Sequence, residues 1–423
     1  MGATSSRSDG NPLMTATHLP ATPHGPVLAL RHAQLAALWL CAASGWLVMI
    51  EPAPYELLFA LAFALLLFGG LAMSPLLLPL MAFIILYNVG GLFSAMQITG
   101  RDESRAWMFV FISIYMGFAA LIFAMAALRD PRRVMAALRT GWIVAGVLGA
   151  MTGIMGYFDI AGTGDVFTLY GRAKGAFKDP NVFSTFLVPP AVFLVQGFMT
   201  GRMRHKLWGA MALLVILAGN FLAFSRGGWA VLVGSLLLLA LLTFITTRDA
   251  ALRARIVLIA AGSLLAGLAL VAFLLSFENI RQLFAQRFAL LQPYDVGGVG
   301  RFSNQARALP MLLGAPLGFG PHQFGRMFGE DPHNVYINAF AAYGWLGGVS
   351  YLLLVGSTLW AGLRGLLTPS PWRHELIAVF APLALLILQG FQIDTDHWRH
   401  FYLLLGMLWG LFAAGIGSRE PET

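Results

Sequence analysis

AWMFVFISIYMGFAALIFAMAAL, residues 106–128, holds no charged side chain between Arg105 and Arg129. A helix rises about 1.5 Å per residue, so roughly 20 such residues cross a hydrocarbon core about 30 Å thick. Runs of the same kind recur along nearly the whole chain. They place further spans at 34–50, 55–73, 75–96, 137–158, 181–200, 206–224, 228–246, 255–276, 334–363, 376–393 and 399–417. Of 423 residues, 58% are hydrophobic and 11% charged, less than half the charged share of about 25% that soluble domains keep. A soluble giant core does not explain repeated runs of this length. The sequence predicts an all-α integral membrane protein with about twelve transmembrane helices. Pro189-Pro190 and Pro382 should kink their spans.

The connecting segments set the orientation. Arg129, Arg132, Arg133 and Arg139, then Arg202, Arg204 and Lys206, then Arg248, Arg253 and Arg255, then Arg364 and Arg373 fall between alternate spans, with only Asp130, Asp249 and Glu375 among them. The positive-inside rule puts that side, and both termini, in the cytoplasm. The net charge of +8 is therefore topological. Its scatter between apolar runs is not the clustered basic face of a nucleic-acid binder. Residues 1–30 lack apolar periodicity and a signal-peptide pattern, and read as a disordered cytoplasmic tail with no processing. The transmembrane domain then runs over 31–417, and 418–423 is a short cytoplasmic end. Cys41, the sole cysteine, sits inside the first run as a packing residue, and no Cys/His metal cluster can form around it.

The opposite side keeps Arg172, Lys174, Lys178, Arg226, Arg301 and Arg399 against the topological bias, which calls for another explanation. It also carries the longest connection, 277–333, and loops of that length are usually functional. Within it, 301–313 has the apolar spacing of a short interfacial helix.

Four constellations lie on this side. In Gly171-Arg172-Ala173-Lys174-Gly175-Ala176-Phe177-Lys178-Asp179-Pro180-Asn181, Asp179 reads as an N-cap and Pro180 as the first helical residue. Three cations in front of a helix N-terminus make a place for a phosphate, or for lipid headgroups held without specificity. In Phe224-Ser225-Arg226-Gly227-Gly228-Trp229, the glycines let backbone N–H groups approach a ligand and Arg226 can fork onto a phosphate; the alternative is a tight helical hairpin. Asp331-Pro332-His333-Asn334-Val335-Tyr336 repeats the Asp-Pro start and puts His333 in the first turn of a span. Neutral imidazole is favoured there and can accept a proton from a sugar hydroxyl; a plain capping histidine is the alternative. Asp394-Thr395-Asp396-His397-Trp398-Arg399-His400-Phe401-Tyr402 offers carboxylates for hydroxyls, with Trp398 and Tyr402 for stacking on a ring, or else forms an interfacial belt. His322, Asp331, His333 and His397 match no metal-ligand spacing, so no metal is expected.

The Arg-x-Lys-Gly-x-Phe stretch with Pro180-Asn181, the Ser-Arg-Gly-Gly turn and the His-Asn-x-Tyr helix start, in that order across a long outer loop, resemble the O-antigen ligase and O-antigen polymerase family. The resemblance covers about 165–350. It implies a GT-C-type glycosyltransferase architecture with one large periplasmic loop (277–333), in a bacterial inner membrane. It implies an undecaprenyl-diphosphate-linked glycan as donor, and metal-independent, inverting transfer without a cofactor. The acceptor is a lipid A core or a second lipid-linked glycan; a protein acceptor, as in an O-oligosaccharyltransferase, stays open. The resemblance gives Arg172 and Arg226 to the diphosphate and His333 to the base; Lys174, Gly227 and Gly228 join the diphosphate group. Ala176 stands where a small hydroxyl residue is common in the family. Asn334, Tyr336, Asp394, Asp396, His397, Trp398 and Arg399 are the glycan- or acceptor-side candidates. Outside the enzyme class, a flippase for anionic glycolipids would use the same arginines. The near absence of charge within spans speaks against it.

Overall fold

The computed structural model describes residues 25–288 and 301–417. It is a helical bundle with one two-stranded hairpin. In chain order come α1 (Gly25–Ser44), α2 (Pro54–Gly69), α3 (Leu78–Ala95), α4 (Glu103–Arg129), α5 (Pro131–Tyr157) and the one-turn α6 (Gly164–Phe167). The hairpin β1 (Thr168–Leu169) and β2 (Arg172–Ala173) follows, then α7 (Pro180–Phe186), α8 (Val188–Met199), α9 (Lys206–Leu222), α10 (Arg226–Thr246), α11 (Ala250–Leu274) and α12 (Glu278–Phe288). The chain closes with α13 (Arg301–Leu313), α14 (Gln323–Phe328), α15 (Val335–Leu367), α16 (Arg373–Gln389) and α17 (Arg399–Gly417).

Helices overlap all the predicted spans, but not all of these helices have the length of a membrane span. Among the described residues, nine helices are long and apolar enough to cross a membrane, with Pro180–Met199 taken as one. Pro54–Gly69 and Lys206–Leu222 are shorter apolar helices, and α16 is a 17-residue helix with a largely buried interior. The first helix begins at Gly25, inside the stretch read as tail, and ends at Ser44 rather than at 50. Pro189 and Pro190 lack N–H groups, and the span breaks one turn earlier, at Leu187 between α7 and α8. Cys41 is fully buried.

Small residues set the closest contacts. A methyl group added at Gly406 or Gly410 of α17 would lie 2.5 or 2.6 Å from the carbonyl oxygens of Ala120 or Ala124 on α4. Backbones approach this closely only across a small-xxx-small seam, which replaces the hydrophobic drive that lipid cannot supply. α17 and the α7–α8 span are the most enclosed elements, with 83% and 89% of their apolar windows buried. α11 stands at the edge with 6% buried.

One end of the bundle gathers the arginine-rich connections: Arg202 pairs with Glu375, and Arg373 Nη1 donates to Thr246 O at 3.5 Å. The motifs lie at the other end, where α15 is built to reach out. Its 33 residues measure about 50 Å, well beyond a hydrocarbon core. They break at Gly344, whose φ of 67° belongs to glycine. Trp345 N would otherwise bond Ala341 O. It donates instead to Pro316 O at 2.9 Å, and Ala341 O accepts from Phe319 N at 2.7 Å and Gly320 N at 3.0 Å. The 314–320 loop thus satisfies the broken helix. α13, at the predicted position, and α14 pack on the outer piece of α15 through Ala308, Leu312, Phe324 and Ala341.

Candidate functional site

The first motif opens on a tight hairpin. Leu169 pairs with Arg172, and Tyr170 and Gly171 between them both take positive φ (54° and 70°), the signature of a two-residue primed turn. The turn sends Arg172 inward, where it is 8% exposed. Arg172 Nε donates to Ala223 O at 2.8 Å and Nη2 to Asn181 Oδ1 at 2.9 Å. Asp179 caps the next helix as read from sequence, its carboxylate accepting from Asn181 N at 2.7 Å. The cap fixes Asn181 where its side chain meets both Arg172 and Ser225, whose hydroxyl donates to the same Oδ1 at 2.9 Å. Two motifs 44 residues apart in sequence are thereby one structure.

Ser225 also caps α10, accepting from Gly228 N at 3.2 Å. Arg226 is the first residue of that helix and is partly exposed. A methyl group at Gly228 would lie 1.9 Å from Ser184 Oγ. Gly228 is therefore the point where α10 closes on α7, and its N–H is engaged in the cap. The expected approach of a ligand to that backbone group gives way to helix packing. Gly227 faces the end of α16, where an added methyl would meet Gln389 Nε2 at 2.7 Å and Gln392 Oε1 at 3.7 Å.

The third motif differs from its expected geometry. The cap is Asn334, accepting from Tyr336 N at 3.1 Å and Ile337 N at 3.2 Å, and α15 starts at Val335. His333 stands before the cap with φ 47°, not in the first helical turn. Asp331 and Pro332 lie outside the helix, because Asn334 offers the cap carbonyl in register with the first free N–H groups. The turn is tied from both sides. Gln305 of α13 donates to Pro332 O at 2.7 Å, and the Asp394 carboxylate accepts from Asn334 N at 3.0 Å.

All these threads meet at the connection between α16 and α17. Gly390 O accepts from Val335 N at 2.8 Å, and Tyr336 OH donates to Ile387 O at 2.6 Å. Arg301 Nη1 lies 3.4 Å from Gln392 O. The Ser-Arg-Gly-Gly turn, the His333 turn and the start of α13 thus all touch residues 387–394.

An apolar cavity of about 440 Å³ opens between α8, α9, α10 and α11, lined by Leu217, Leu236, Leu264 and Leu268 among others. Phe221, Trp229 and Phe284 close one end, with Phe221 stacked on Trp229 at 5.4 Å. Trp229 follows Arg226 by three residues, about one helical turn, so this end of the cavity neighbours the arginine turn.

Residues 210–352 match the O-antigen ligase family model. The match takes in Arg226, Gly227, Gly228, His333, Asn334 and Tyr336, and agrees with the family that the motifs resemble. No curated protein matches the chain.

Set around this ligase-like segment, the remaining candidates sort by burial. Lys174 Nζ donates to Val166 O at 2.7 Å and Phe177 O at 3.3 Å; burial lowers its pKa. It holds its own loop. Lys178 pairs with Glu51 at 2.5 Å. Asn334 and Tyr336 are engaged in the cap and in the α16 contact, so neither is presented as a glycan contact. Asp394 is held well above the usual carboxylate range by burial and by the Asp396 and Asp331 carboxylates, against the N–H groups of Asn334 and His333.

Asp396 is 1% exposed; Tyr87 OH donates to its Oδ2 at 3.1 Å, and His397 Nδ1 lies 3.2 Å from that oxygen. Burial pushes the His397 imidazole down, but the Asp396 carboxylate outweighs it and the pKa rises. Trp398 and Tyr402 are buried, and Arg399 pairs with Glu56 at 2.5 Å. Much of the patch read as a sugar platform is thus engaged with the protein itself, while Asp394, His397 and Arg399 keep partial exposure. Its aromatic faces pack on protein, and its charges are paired because unpaired ones are costly away from water.

The sequence places Asn181 within a motif but gives it no role, and it does not mark Gln305, Gln389 or Gln392. Neutral amides at helix ends carry no charge signal. The one available hint is that Gln389 and Gln392 are polar residues at the end of an otherwise apolar span.

Proposed function

We propose that the protein is a membrane glycosyltransferase that transfers or polymerises an undecaprenyl-diphosphate-linked glycan at the periplasmic face, by metal-independent inverting transfer. The observation that carries this reading is the union of Arg172 and the Arg226 turn through Asn181, next to an apolar cavity. A lipid diphosphate needs these two environments side by side: cations for the head and apolar walls for the tail.

In this reading the isoprenoid chain lies between α8, α9, α10 and α11, and its diphosphate reaches the two arginines. His333 takes the proton from an acceptor hydroxyl. The hydroxyl oxygen attacks the anomeric carbon from the face opposite the leaving group. The bond from that carbon to the diphosphate oxygen breaks, and the arginines stabilise the negative charge that departs with the lipid diphosphate. The turn before Asn334 suits this role for His333, since the imidazole stands outside the helix while the backbone on both sides of it is fixed by Gln305 and Asp394.

The acceptor is a lipid A core or a second lipid-linked glycan, and assay of both with one donor separates ligase from polymerase. A pH–rate profile tests the base. The acidic limb seen in the wild type should vanish in His333→Ala. A profile of unchanged shape in that variant removes His333 from the role. Movement of glycolipid across a bilayer without any transfer would make the protein a flippase.

A further inference from the structure

We propose that Asp396 is a positioning residue for the His333 turn, acting through Asp394; this rests on the reading of His333 as the base. The two carboxylates sit two residues apart on one short connection and face different partners. Asp394 reaches forward to the backbone at His333 and Asn334, with Asn334 N at 3.0 Å. Asp396 is turned into the bundle, where Tyr87 of α3 and His397 hold it at 3.1 and 3.2 Å. His397 is fixed in turn on α4: its Nε2 lies 3.0 Å from Phe109 O, and its ring stacks on Phe109 at 3.8 Å. Tyr87 stacks on Tyr343 at 4.1 Å.

A carboxylate this enclosed has few alternatives. A different course of residues 390–398 would carry it away from Tyr87, and a buried carboxylate short of hydrogen bonds is strongly disfavoured. The bond from Tyr87 of α3, itself stacked on Tyr343 of α15, and the seat of His397 on Phe109 of α4 therefore select one loop conformation. That conformation puts Asp394 in reach of the turn. His333 has no helix of its own to support it, so the turn depends on this hold and on Gln305. Thr395 is fully buried between the two acids, which leaves the connection little freedom to adjust.

Asp396→Asn in the full chain tests this, because the amide keeps an acceptor for Tyr87 and removes the carboxylate beside His397. Two readouts are needed. Hydrogen exchange reads the turn directly. We expect faster exchange at the Asn334 and Val335 amides, with α4 and α17 unchanged. Turnover with a lipid-diphosphate glycan should fall about tenfold or more while KM for that donor stays within twofold. In Asp394→Ala the second substitution should add nothing further, since its route is already cut. Unchanged exchange at 334–335, or a fully multiplicative loss in the double variant, overturns the proposal. Faster exchange with unchanged turnover keeps the hold on the turn and overturns His333 as the base instead. If Asp396→Asn does not accumulate, Tyr87→Phe removes one bond to the carboxylate, keeps the stack on Tyr343 and carries the same measurements.

Discussion

Arg172 Nη2 lies 2.9 Å from Asn181 Oδ1, and the same oxygen receives the Ser225 hydroxyl at 2.9 Å. One neutral amide thus joins two arginine-bearing segments. Asn181→Ala should weaken the joint: Arg172 Nη2 and the Ser225 hydroxyl lose their shared acceptor, while Arg172 Nε keeps Ala223 O. A charged hydrogen bond of this kind contributes about 1.5–3 kcal/mol, so turnover should drop by roughly tenfold or more. Steady-state kinetics on the purified protein check this; a variant with wild-type turnover would separate the two arginines functionally.

Gly228 is held to its size by Ser184. Gly228→Ala places a methyl 1.9 Å from Ser184 Oγ and 2.6 Å from its Cβ, and forced repacking of that order costs about 1–3 kcal/mol. The thermal midpoint should fall, and Ser184→Gly in the same chain should restore part of it. No recovery would place the strain elsewhere.

The Asp396–His397 pair gives a pH dependence of stability. The folded pKa of His397 is raised above its ordinary 6.5. Such a group contributes stability that is fully present below the unfolded pKa and is lost as pH rises through the folded one. The melting temperature should therefore decline on the alkaline side of about pH 6.5, and His397→Gln should remove that part of the decline. Asp394, raised from 3.8, penalises folding in the same direction as pH rises, but it remains in both proteins and cancels in the comparison. Identical pH curves would show that the pair does not titrate with folding.

The apolar cavity has open space beside Gly267. Gly267 lines it, and nothing lies within 4 Å of a methyl added there. Gly267→Trp should leave folding intact and raise KM for a long-chain lipid donor by about tenfold, the equivalent of excluding roughly two methylenes from apolar contact. A short-chain donor should be unaffected. Equal effects on both donors would move the tail out of this cavity.

The helices were legible because hydropathy alone marks a chain that must bury its backbone bonds within each span. The Asp179 cap and α13 were legible for the same local reason. The break at Gly344 was not, since its hydrogen bonds come from residues 314–320, and no local pattern announces a loop that repairs a distant helix. Asp331-Pro332 misled by copying Asp179-Pro180: the same dipeptide caps one helix and precedes the true cap of another, where Asn334 outcompetes it. Of the site, the charged residues were visible and their partners were not. Arg172 and His333 stand out by type, whereas Asn181 and Gln305 acquire meaning only through what they touch. The segment at 394–399 shows the opposite failure. In a dense run of acids, histidine and tryptophan, residue type does not tell that Trp398 and Asp396 are buried and that Arg399 is paired with Glu56.

The most direct test of the account follows glycan transfer by mass in proteoliposomes holding a lipid-diphosphate glycan and an acceptor, with a chelator present, for the wild type, Arg172→Ala and Arg226→Ala. The account predicts product from the wild type and a loss of at least about tenfold in each variant, with both variants still inserted in the membrane. Full activity in both arginine variants would contradict it.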